Sequence, residues 1–138
     1  MPRYTHPVAA CILSVCGAVG LAACAPMEEP ASDEYDATLA ELDTERACFF
    51  AREVNGFSHA PSSPGGDDRI WVSTGVSERW LLETRGTCPE LDFSQQIALD
   101  VRGSGSVCTG QLEMLLVPNV MRGDFDRCPV RVLGRTRD

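Results

Sequence analysis

The chain has 138 residues, enough for one domain, with 43% hydrophobic and 23% charged residues and a formal net charge of −8. A chain of that charge lacks the basic face that phosphate contacts need, so nucleic acid is not an expected partner. All 12 basic side chains are arginine, which excludes Schiff-base and lysine-nucleophile chemistry.

The N-terminus reads MPRYTHPVAACILSVCGAVGLAAC. Arg3 precedes an uncharged, apolar and small-residue run from Val8 to Ala23. That run is short for a membrane-spanning helix, which needs roughly 20 residues. Small residues at its end fit a cleaved export signal instead. The four residues Leu21-Ala22-Ala23-Cys24 resemble the lipobox of bacterial lipoproteins. That resemblance implies a cut before Cys24, a diacylglycerol on its thiol and acylation of the new amine. Two or three acyl chains anchor stably, at about 0.8 kcal/mol per buried methylene. Ala25 stands where an aspartate would mark retention in the inner membrane, so the expected location is the outer membrane, periplasmic side. The expected partners are the lipid bilayer, through Cys24, and an unidentified envelope protein or ligand.

Residues 24–44 follow as a tether. They hold seven acids and no basic residue, together with Pro26 and Pro30. This is a solvated spacer, whose end, DATLAELDTERA, suits a helical turn or two. The segment from Glu45 to Asp138 carries 13 acids against 11 arginines and is nearly neutral.

Residues 45–138 read as one β-rich domain. ACFFAREV suits a strand, and Asn55-Gly56 is a turn signal. HAPSSPGGDD, residues 59–68, is a loop. RIWVST and ERWLLETRG form a hairpin across GVS. CPELDFS breaks the pattern as a helical turn. QQIALDVRG alternates, with Ile97, Leu99 and Val101 on one face. GSGS turns the chain, and VCTGQLEMLLVP is a strand or two pieces hinged near Gly110. NVMRGDFD is a loop, and RCPVRVLGRT is the closing strand. The fold class is therefore all-β, a small antiparallel barrel or sandwich of about six strands.

Four cysteines fall in this domain: Cys48, Cys88, Cys108 and Cys128. In an oxidising compartment they form disulfides, with three possible connectivities. The expected pairing is Cys48–Cys128 with Cys88–Cys108, the first tying the opening strand to the closing one. No metal site or cofactor is expected.

CFFAREVNGF, the DDR before a strand, the CPEL element, Cys108 and the closing RCPVRVLGR together resemble domain of unknown function 6491, a family of bacterial exported proteins. The resemblance runs from Cys48 to Arg135. It implies a small β-rich exported domain, often lipid-anchored, and no known activity.

Candidate sites are few. His59 is the one histidine after Cys24, in a breaker-rich loop, and GSGS lacks the order of a nucleophile elbow. Asp67 and Asp68 read as turn residues, not as a calcium loop. Glu78, Glu83, Glu90 and Asp92 read as outer-face and turn carboxylates. Arg79, Arg85, Arg102, Arg131 and Arg135 fall on strands and their ends. Trp71 and Trp80 flank the hairpin and would stack cross-strand; buried, they are simply core, the favoured reading, and exposed, with Arg79, they form a possible binding surface. The expected function is a non-catalytic binding or envelope-interaction module on a lipid-anchored protein, using a sheet face or the loop 56–69. An inhibitor of an exported hydrolase, acting through that loop, is the alternative; an enzyme is the third reading.

Overall fold

The structure, a computed structural model, describes Glu34 and residues 37–137. The expected signal segment, Cys24 and most of the expected tether lie outside these residues. A helical turn over 37–40 leads in, with the Glu41 amide donating to the Ala37 carbonyl at 3.3 Å.

Eight strands follow: β1 (Cys48–Phe50), β2 (Val54–Ala60), β3 (Arg69–Thr74), β4 (Glu78–Thr84), β5 (Ala98–Asp100), β6 (Ser106–Cys108), β7 (Leu112–Asn119) and β8 (Asp124–Arg137). Six of them make one curled antiparallel sheet in the order β2-β3-β4-β8-β7-β5. The remaining two, β1 and β6, pair as a separate antiparallel ribbon. The domain is all-β, as its alternating patterns require.

The alternation fixes what each face carries. On β3 and β4, Ile70, Val72, Trp80 and Leu82 point inward, opposite one another in register. Leu115, Val117, Cys128, Val130 and Val132 continue the same surface on β7 and β8. The ribbon sets Phe49 and Val107 against it, with the Phe49 ring 4.8 Å from Trp80. Leu91, from the one-turn 3₁₀ helix Leu91–Phe93, completes this core.

Several local expectations are corrected. The disulfides are Cys48–Cys108 and Cys88–Cys128, not the expected pairing. The reason is the partner of β1: it lies beside β6, so Cys48 sits directly opposite Cys108. Asn55-Gly56 is not a hairpin turn. It lies within β2, where Val54 faces Thr74 and Gly56 faces Ser73, so Asn55 is the extra residue of a bulge. Its side-chain amide donates to the Gly75 carbonyl at 2.6 Å. His59 and Ala60 belong to β2 as well, and the last three residues of GDFD, Asp124, Phe125 and Asp126, belong to β8. VCTGQLEMLLVP is two strands, hinged where Gly110 adopts φ 83°.

The tether's end is tied into the sheet. Beyond the last β7 partner of β8, Asp43 takes up the vacant edge: its amide donates to the Arg135 carbonyl at 2.9 Å, and the Arg135 amide donates back at 3.0 Å. Gly134 permits the approach, because a Cβ there would lie 2.7 Å from the Asp43 carbonyl oxygen.

A polar chain closes this end of the core. The buried Trp80 indole donates to the Thr74 hydroxyl at 3.1 Å, and that hydroxyl donates to Glu78 Oε2 at 3.3 Å. Arg135 donates to Glu78 Oε1 at 3.0 Å and to Asp43 Oδ2 at 3.2 Å. Burial opposes the Arg135 charge, but the bonds to Asp43 and Glu78 outweigh it and hold the guanidinium above its ordinary pKa. Replacing Thr74 by Val keeps the shape and strands the indole N–H. We expect a loss of about 1–3 kcal/mol, read as a lowered urea midpoint with an unchanged slope. In a Trp80→Phe background the same substitution is expected to cost less, because no buried donor is left unpaired.

Candidate functional site

The structure disperses the residues that the sequence brings forward. Trp71 and Trp80 do not stack. In the β3–β4 ladder Val72 faces Trp80 and Trp71 faces Leu81, so the two indoles are on opposite sides of the sheet. Trp80 is fully buried and belongs to the core. Trp71 is half-buried on the other face, where the Arg79 guanidinium lies 5.1 Å from its ring centre. A surface built from Trp71, Trp80 and Arg79 together is thus ruled out.

The carboxylates scatter too. Glu83 is buried, not outward and exposed: Oε2 accepts from Arg69 Nε at 2.9 Å and lies 2.8 Å from Nη2. Glu78 serves the Arg135 network. The arginines divide likewise, with Arg135 partly buried and Arg131 exposed. The loop after β2 is held by its own bonds, Ser63 amide to Asp67 carbonyl at 3.0 Å and Gly66 amide to Ser63 carbonyl at 2.8 Å. GSGS is a turn, with Gly103 at φ 76° and Gly105 at φ 75°.

His59 stands near acids at the rim of the sheet, its Nδ1 3.9 Å from Asp92 Oδ1, and both side chains are well exposed. Asp68 has its pKa raised, first by partial burial, then by the charges of Asp92 and Asp67, with His59 opposing. Among the described residues, no group of three or more His, Cys, Asp or Glu side chains is placed to hold a metal ion.

A cleft reaches the core at Val72. The sheet curls without closing, and its two edge strands, β2 and β5, are left unjoined to each other. Between them is a cleft of about 340 Å³. One wall is Ala51, Arg52 and Val54, from the 3₁₀ turn Ala51–Glu53 and the start of β2. The other is Ile97, Ala98 and Leu99, and the fully buried Val72 forms the floor. The Ala51 amide pins the first wall by donating to the Gly105 carbonyl at 2.9 Å. Arg52 is exposed at the rim, its guanidinium 4.6 Å from the Phe50 ring centre. The Glu53 carboxylate turns away and accepts the Phe50 amide at 3.2 Å.

Sequence reasoning named Ile97 and Leu99 only as strand residues, and gave Ala51, Arg52, Val54 and Ala98 no role. The signal was the interrupted pattern of CFFAREVNGF, in which a turn and a bulge replace a continuous strand.

The raised Asp68 carboxyl carries a directional expectation. Its charge opposes folding above the folded-state pKa, and that opposition vanishes below the unfolded value, where the group is protonated in both states. Asp68→Asn is therefore expected to raise the urea midpoint modestly at neutral pH. The gain should shrink as the pH falls through the carboxylate range; a gain that grows with acid contradicts the assignment.

No curated protein and no solved structure matches this chain significantly. A family model does match, over residues 7–133, nearly the whole length. The chain belongs to the family of unknown function DUF6491.

Proposed function

We propose that this protein is a lipid-anchored exported binding module, non-catalytic, whose binding site is the cleft between β2 and β5. The observation that carries the binding reading is the failure of a curled sheet to close. It leaves a cleft, floored by a core residue and walled by apolar side chains and Arg52, where a closed barrel would have a seam. Clefts of roughly 300 Å³ and above are where small ligands bind. The lining holds no histidine, carboxylate, hydroxyl or thiol, so it offers no nucleophile and no general base. His59 and Asp92 are not among its lining residues.

Export and anchoring are supported by the lipobox-like Leu21-Ala22-Ala23-Cys24 and by two disulfides, which persist in oxidising compartments. The outer membrane, periplasmic face, is the proposed location.

Two measurements test these readings separately. Radiolabelled palmitate is expected to enter the protein in cells and to be lost in the Cys24→Ser form; equal labelling of that form sinks the anchor. The neutral apolar dye N-phenyl-naphthylamine is expected to bind the folded protein at one saturable site. Ala98→Trp, at an exposed position of the cleft wall, is expected to abolish that binding while leaving the far-ultraviolet circular dichroism and the urea midpoint native. Absence of saturable dye binding, or binding indifferent to Ala98→Trp, would falsify the cleft reading.

A further inference from the structure

Resting on the cleft reading, we infer that the ligand is a single-chain amphiphile with a carboxylate head, a fatty carboxylate. Six of the seven lining residues are apolar, and Arg52 is the only charged one. No neutral polar side chain lines the cavity, so a sugar or a nucleobase would find no side-chain hydrogen bonds there. Val54, Ile97 and Leu99 are only half-buried, and an alkyl chain would complete their burial. The volume is at the small end of ligand sites, which suits one acyl chain and not two.

The head group follows from Arg52. Among the described residues its guanidinium has no carboxylate partner, and Glu53, its neighbour, is occupied by the Phe50 amide. The Phe50 ring, 4.6 Å from the guanidinium carbon, holds the cation by a cation–π contact. A guanidinium at the rim of a slot walled by apolar side chains is matched by a carboxylate, which it binds through two parallel N–H···O bonds.

An added peptide strand fits less well. β5 has three residues, and β2 is interrupted by its bulge beside the cleft, at Val54 and Gly56. Short and bulged edges are poor templates for strand addition.

The test uses the full chain with Cys24→Ser, so that no acyl group of its own competes, and the probes are dodecanoate, methyl dodecanoate and dodecyl phosphate. Dodecanoate is expected to displace the neutral dye at one site, with the ester about tenfold weaker. Arg52→Gln is expected to bring dodecanoate down to the ester's affinity and to leave ester and dye unchanged. Equal binding of acid and ester, or no effect of Arg52→Gln, overturns the carboxylate assignment. So does dodecyl phosphate binding more tightly than dodecanoate. Dodecanoate that leaves a bound dye in place overturns the fatty-carboxylate inference alone, whereas a dye that never binds removes the cleft reading as well.

Discussion

A sheet that curls without closing must cover its concave face by other means, and the β1–β6 ribbon does so here. Phe49 and Val107 are both buried in the core by that ribbon. Burial of each contributes about 1.5–3 kcal/mol. A two-stranded ribbon is marginal by itself, and these two strands are joined only through a long stretch of chain. Cys48 and Cys108 are separated by 60 residues, so their bridge removes closure entropy worth on the order of 4 kcal/mol. That exceeds what either apolar side chain supplies. The bridge therefore holds the cover in place, and the cover completes the core.

The second bridge ties the stretch after β4 to β8. Cys88 follows β4 and precedes the 3₁₀ turn that buries Leu91; its partner Cys128 lies on β8. The Arg135 network closes the remaining end. Its ion pairs are only partly buried, and pairs of that kind contribute little by charge alone. Their value is positional: they keep Glu78 in reach of Thr74, which satisfies the fully buried Trp80 indole.

Most strands were legible because each alternates with period two against a core on one side. The β3–β4 hairpin, the broken β6–β7 run and the inward Val130 and Val132 all follow from that pattern. What escaped was non-local. The partner of β1 is far along the chain, and no local pattern distinguishes β6 from β8, so the disulfides were paired wrongly. The tryptophan stack failed on parity: the hairpin sets odd-numbered residues opposite odd ones, and Trp71 and Trp80 differ. The Asn-Gly pair signalled a backbone irregularity correctly, but the sheet used it as a bulge. The cleft was illegible for the same reason as the disulfides, since its walls come from residues 51, 52, 54, 72 and 97–99.

A chain of contacts runs across the sheet from the cleft wall to Asp43. Val54, a wall of the cleft, is paired with Thr74. Thr74 bonds Glu78, Glu78 holds Arg135, and Arg135 holds Asp43, the point where the acidic segment joins the body. The seam beside β2 and the contact that holds Asp43 to β8 are thus linked across β3 and β4 by one run of contacts, in which Thr74 serves both the cleft wall and the polar chain.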